Sequence, residues 1–248
     1  MKTRISWIFY CLVSFMLLPS LSAAERFVTN ESNGFTWIQQ GKAYPILVDL
    51  QEDKGVLRAV ANLQTDAGKV TGATPEIIHS PSGNRMLIIG SVENSSWIKQ
   101  LMQAGKIPAA DLKGKREKYI LQTVKQPVEG VEEAIVIAGS DKRGTIYGIY
   151  ELSRQMGVSP WYFWADVPVE KHDIISIKEG VYTDGEPAVK YRGIFLNDEW
   201  PSLGGWASAT FGGFNSKFYE RCSNWCFASK EILCGLPCGT VLSTMMTR

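Results

Sequence analysis

Between Glu25 and Arg221 the sequence has no cysteine; of its five, one is Cys11 and the rest are Cys222, Cys226, Cys234 and Cys238. A body without thiols can build neither a disulfide framework nor a thiolate metal site, so it must stand on an apolar core. Histidine is nearly as scarce. His79 and His172 are far apart, in no carboxylate–histidine spacing of a metal centre, and no Ser-His-Asp arrangement with a nucleophile elbow occurs. Neither sign of charge dominates: 26 Lys and Arg face 25 Asp and Glu, which favours no nucleic acid or other polyanion. After Leu18 no apolar run approaches the length that spans a bilayer. What is there is an ordinary globular composition, 45% apolar and 21% charged over 248 residues, which excludes wholesale disorder and suffices for one to two domains.

Lys2 and Arg4 precede the apolar stretch Ile5 to Leu18, and Ser22-Ala23-Ala24 follows. A basic start, an apolar middle too short for a membrane span and a Ser-x-Ala end make a secretory signal over 1–24. Cys11 lies inside the apolar core and not at its end, where a lipid-attachment cysteine would stand. The expectation is an exported chain, periplasmic or extracellular, with no membrane attachment once the signal is removed.

Strands are predicted at Arg26 to Thr29, Phe35 to Ile38 and Ile46 to Val48. Asp53 then caps a helix whose apolar positions Val56, Val60, Leu63 and Ala67 recur at three- and four-residue steps, with Gly68 or Gly72 as its stop. Strands follow at Glu76 to His79 and Met86 to Gly90, and a helix capped by Ser95 or Ser96 runs through Ala104. A basic loop, Lys113 to Lys118, leads to strands Tyr119 to Val124 and Ala134 to Ala138, then a helix from Thr145 to Met156. This alternation predicts a mixed α/β layer domain, taken here as 25–180. Asp184-Gly185-Glu186-Pro187 is a turn-rich link, after which Lys190 to Leu196 reads as a fresh strand.

Gly139-Ser140-Asp141-Lys142-Arg143-Gly144-Thr145 follows a strand and opens a helix, the setting of a phosphate loop. That loop needs a lysine directly after its second glycine, and Thr145 stands there, so the motif reads as a tight strand-to-helix turn. Trp161-Tyr162-Phe163-Trp164 reads either as a buried hinge between domains or as a platform on which sugar rings stack. Asn197-Asp198-Glu199-Trp200 ends the fresh strand, and acids at the C-terminal end of an α/β strand stand where barrel enzymes place their catalysts. Alternation points Asp198 and Glu199 to different sides; a solvated loop is the competing reading.

Three stretches carry a resemblance. Ala138-Gly139-Ser140-Asp141-Lys142-Arg143-Gly144-Thr145 through Ser153, and Gly157-Val158-Ser159-Pro160-Trp161-Tyr162 through Pro168, resemble the N-terminal-domain signature of glycoside hydrolase family 115. Tyr191-Arg192-Gly193-Ile194-Phe195-Leu196-Asn197-Asp198-Glu199-Trp200-Pro201 is similar to the first strand of that family's catalytic barrel, and Phe211-Gly212-Gly213-Phe214-Asn215 continues it. The resemblance implies a secreted xylan α-1,2-glucuronidase, which removes glucuronic acid or its 4-O-methyl ether from glucuronoxylan, a plant cell-wall polysaccharide, with inversion. It implies a fold in which the α/β domain precedes a (β/α)8 barrel, with only the first barrel strand here, in a linker-and-barrel segment over 181–220.

Inversion requires two carboxyls about 6.5–9.5 Å apart, one protonating the leaving oxygen and one activating water. Carried over by motif, Asp198 and Glu199 are the candidate catalytic residues, and Asn197, Trp161 and Trp164 the candidate substrate-binding ones. No cofactor and no metal is implied, and oligomeric state is left open. With most of the barrel absent, the chain is expected to be inactive alone. The alternative is a stand-alone carbohydrate-binding module that uses the Trp161 to Trp164 surface.

The resemblance stops after Glu220, where the cysteines begin, and 221–248 is expected to be an out-of-frame tail. Codons formed from the third base of each codon and the first two of the next are constrained; Trp followed by Cys, for example, must give Val. Within such constraints, Arg221 onward can spell an amphipathic helix running into Leu-Lys-Gly-Asn-x-Leu-Trp-Pro-Ala-Met-Trp, similar to the family's next segment. The rival reading is a thiolate zinc site with the spacing Cys-x3-Cys-x7-Cys-x3-Cys, or two disulfides.

Overall fold

A computed structural model describes residues 25–197 and 199–230, and the backbone of 233–235. The chain opens with β1 (Val28–Thr29), β2 (Phe35–Gln39) and β3 (Lys42–Ala43), then enters β4 (Ile46–Val48), whose three residues are all buried. Helix α1 (Lys54–Thr71) starts where an Asp53 carboxylate oxygen accepts the Gly55 amide at 2.8 Å. Val56, Val60, Leu63 and Ala67 are buried along one face as the spacing predicts, and Gly72, not Gly68, ends the helix in the left-handed region at φ 77°.

Strands β5 (Ile77–Ile78) and β6 (Arg85–Ser91) follow, and α2 (Ser96–Gln103) is capped by Ser95. A 3-10 turn at Ala109–Asp111 leads to β7 (Tyr119–Lys125) and β8 (Glu133–Gly139). Helix α3 (Lys142–Gln155) begins three residues before the position the sequence suggests, because the Asp141 carboxylate accepts the Gly144 amide at 2.8 Å and caps the turn earlier. Two strands that carry no clear sequence signal, β9 (Ile174–Ile177) and β10 (Val181–Tyr182), complete the sheets.

The larger sheet has the order β10-β7-β8-β6-β4-β5, with β8, β6, β4 and β5 parallel and β7 and β10 antiparallel to their neighbours. Strand alternation sends Ile46, Leu87, Ile89, Ile135 and Ile137 into a core shared with α1, α3 and the antiparallel sheet β1-β9-β2-β3. Leu47, Met86, Ile88, Ala134 and Val136 face the opposite core, under α2. Full burial of one such aliphatic side chain is worth about 1.5–3 kcal/mol, and two packed faces supply the stability that disulfides do not. This is the mixed α/β architecture expected.

Beyond β10 the chain forms β11 (Gly193–Phe195), α4 (Leu203–Phe211), α5 (Ser216–Ala228) and β12 (Leu233–Gly235). The strand expected over Lys190 to Leu196 is shorter, because its pairing covers three residues only. It is also not alone: β11 pairs in parallel with β12, the two helices forming the crossover that a parallel pair requires. Helix α5 packs on α3, and Ala207, Phe218 and Cys222 form a separate buried cluster roofed by Trp164, Leu196 and Phe211.

Candidate functional site

Strand β11 delivers its C-terminal end to the surface. Asn197 and Glu199 are exposed there, while Asp198 lies outside the described residues. The Glu199 carbonyl accepts the Gly204 amide at 3.3 Å and the Ser202 hydroxyl at 3.2 Å, which anchors the backbone at the entrance to α4 and leaves the Glu199 carboxylate toward solvent. Trp200, next in sequence, is 70% exposed.

The four-aromatic run divides by environment. Trp164 sits among Phe163, Trp206, Phe218 and Trp225, with ring centroids 5.4–6.3 Å away, and packs as a hinge residue. Trp161 is 46% exposed and meets Trp225 in a T-shaped contact at 4.6 Å. Trp164 is thus packed among other rings, and Trp161 is the more exposed of the two. Leu196 packs into the cluster that Trp164 roofs, so the aromatics support the strand end from beneath.

Beside the cluster lies a cleft of about 580 Å³ walled by Tyr162, Phe163, Trp164 and Trp225, with Asp66 and Lys69 at its polar side. Neither Asn197, Glu199 nor Trp161 lines it. Burial pushes the Asp66 carboxyl up despite Lys69 at 3.1 Å. Burial also works against the Lys69 ammonium, but Asp66 outweighs it and holds the group above its ordinary value; the ammonium stands 4.1 Å from the Tyr162 ring centre. Arg221 covers the Phe163 ring at 4.6 Å and donates to the Tyr162 hydroxyl at 3.3 Å. Flat aromatic walls beside a few fixed polar groups suit a sugar ring. The sequence reading names the aromatics but not Asp66, Lys69 or Arg221; the Asp66–Lys69 spacing was visible, the burial was not.

A second polar cluster sits at the seam between the regions. The Glu117 carboxylate, 3% exposed, takes a bond from Arg143 of the Gly139–Thr145 turn and another from Arg192, one residue before β11. Tyr147 beside them has its phenol pushed up to about 12, by burial first and the Glu117 charge second. His79 bonds the Val48 carbonyl at 2.9 Å and His172 stands 3.4 Å from Glu170, so both serve packing and surface pairing. Among the described residues no group of three or more metal-ligating side chains comes together, and no helix is long and apolar enough to cross a membrane.

Set against known proteins, residues 38–152 match the profile of the glycosyl hydrolase family 67 N-terminus and residues 184–231 that of glycosyl hydrolase family 115. The second match crosses Arg221, where the sequence resemblance ends. A solved family GH115 4-O-methyl-α-glucuronidase, BtGH115A, with specificity for decorated arabinogalactans, superposes with a TM-score of 0.69 at 29% identity, over 86% of this chain and 27% of its own. A Streptomyces plicatus N-acetyl-β-hexosaminidase aligns at a TM-score of 0.46 and 14% identity, over 82% of this chain and 32% of its own. Comparison with curated proteins finds no match. The chain resembles the family-67 N-terminal and family-115 profiles over those residues and spans 27% of the length of that glucuronidase.

Proposed function

We propose that the chain is the N-terminal part of an exported α-1,2-glucuronidase that removes glucuronate or its 4-O-methyl ether from glucuronoxylan with inversion, and that the 248 residues alone are not a hydrolase. One observation carries this reading. The two family profiles follow one another in the order of a family-115 enzyme, and a single glucuronidase structure aligns across both. In this reading Asn197, Asp198 and Glu199 are rim residues of a barrel whose remaining strands would bring the opposing carboxyl and the groups that hold the uronate. Export rests on the basic start and apolar stretch of residues 1–24.

The cysteine distribution supports a change of reading frame near codons 219 to 221, and the in-frame family-115 match to residue 231 extends the interval in which it can lie to 231. The nucleotide sequence tests it. The shifted frame is expected to spell Leu-Lys-Gly-Asn-x-Leu-Trp-Pro-Ala-Met-Trp and then continue open. A shifted frame that spells another segment, or stops at once, refutes the frame change.

The exposure of Trp161 favours one second reading, a carbohydrate-binding surface. Pull-down on insoluble xylan tests it: Trp161→Ala should abolish retention without loss of fold, whereas retention unaffected by that substitution removes the surface from consideration.

A further inference from the structure

Two arginines converge on one buried carboxylate where the regions meet. Glu117 Oε1 accepts from Arg143 Nη1 at 3.0 Å, and Oε2 from Arg192 Nη2 at 2.7 Å. Arg192 commits its other donors as well: Nη1 to the Val189 carbonyl at 2.6 Å, Nε to the Lys230 carbonyl at 3.0 Å, and Nη2 also to the Tyr147 hydroxyl at 3.2 Å. A planar guanidinium held at every edge has one orientation, which a lysine ammonium would not have.

Arg143 belongs to the Gly139–Thr145 turn, the segment with phosphate-loop glycine spacing. That turn is closed to phosphate. The Asp141 carboxylate takes the amides of Gly144 and Glu117, each at 2.8 Å. The Lys118 backbone covers Gly144 so closely that a Cβ there would overlap the Lys118 carbonyl oxygen. Its glycines serve close approach of chain to chain.

We propose that this turn and Glu117 form a socket for Arg192 that sets the position of β11, and with it of Asn197 and Glu199, against the α/β domain. Apolar burial does this only in part: Leu196 packs at the strand's end, but Val189 and Tyr191 before the strand and Phe195 within it are 59–69% exposed. The arginine is the strand's charged link to the domain, and Arg116 holds the segment before it through Glu186 and the Pro187 carbonyl. Glu117 also holds a left-handed backbone, φ 54°, where glycine is favoured, and keeps its carboxylate there. Removing Glu117 leaves Arg192 without its carboxylate, and removing Arg192 leaves the buried Glu117 with Arg143 alone. Glu117, Arg143 and Arg192 are positioning residues.

This inference rests on reading β11 as the strand that presents the site. Amide hydrogen exchange reads the docking and the gene sequence reads the enzyme, so either can fail without the other. In Glu117→Gln, exchange at Gly193, Ile194 and Phe195 should speed by about tenfold or more, and the Asn197 side-chain amide resonance should shift, while β6 and β8 keep their protection. Arg192→Met should match it, the double variant should be no worse than either single one, and Arg192→Lys should fall between them and the parent chain. If Glu117→Gln does not fold, the Arg192 variants carry the test. Unchanged exchange at 193–195, or an equal rise across β6 and β8, overturns the proposal.

Discussion

From β1 to β10 the chain buries apolar side chains on both faces of its main sheet, and strand alternation decides which core each one enters. From β11 to α5 it gathers aromatics into one small cluster and leaves Tyr191, Phe195 and Trp200 67–70% exposed. The first region has what a self-sufficient domain needs. The second has an apolar strand with Phe195 exposed and meets the first through the packing of α5 on α3, where Phe227 and Ala228 reach the main core, and through charges: Glu117 to Arg192, and Glu151 to Lys230 at 3.1 Å. Buried charge pairs fix direction well but stabilise little beyond their own desolvation. The two regions should therefore come apart in order, the second before the first.

The largest expected effect is in the first region. Trp37 is fully buried and its indole N–H donates to the Tyr44 carbonyl at 2.8 Å. Trp37→Ala should cost about 5 kcal/mol, read as a lower urea midpoint for the whole chain, and a loss below about 1 kcal/mol would contradict a two-faced core. Phe218→Ala, at the centre of the small cluster, should cost about 3 kcal/mol but confine it to the second region. Amides of α4 and α5 should then exchange faster while β8 stays protected; equal acceleration in β8 would merge the two regions into one cooperative unit. Asp53→Ala removes the α1 cap and should cost about 1 kcal/mol, confined to the first region.

The smallest effect is a shift with pH. Burial raises the Glu151 carboxyl, but the Arg154 hydrogen bond and the Lys230 charge outweigh it and hold the group below its ordinary value. A depressed carboxylate stabilises above its unfolded pKa and loses that contribution as pH falls through the folded value. Lys230→Met weakens the depression, so protection of α5 should fail at a higher pH during acid titration. An unshifted acid limb would show that Arg154 and Gln155 hold Glu151 without Lys230.

The same contrast explains what could be read in advance. The α1 cap at Asp53, its apolar spacing and the strands β4, β6, β7 and β8 are local patterns, and the structure places each within a residue or two. The α3 start moved because Asp141, four residues before the predicted start, reaches inward to the Gly144 amide. At the candidate site little was local. Trp161 to Trp164 announces an aromatic surface, but Trp164 is claimed by Trp206, Phe218 and Trp225, which follow by 42 residues or more. Glu117 and Arg192 are 75 residues apart and carry no spacing signal. The glycine spacing at 139–144 marks a tight turn; its use as a socket depends on Arg192, which only the fold brings to it.

Incubation of the purified 248-residue chain with glucuronoxylan, and separately with a glucuronate-decorated arabinogalactan, tests the central claim most directly. The account predicts no release of glucuronic acid or its 4-O-methyl ether from either, because one strand pair cannot oppose two carboxyls across a sugar. Catalytic release of either acid would contradict it.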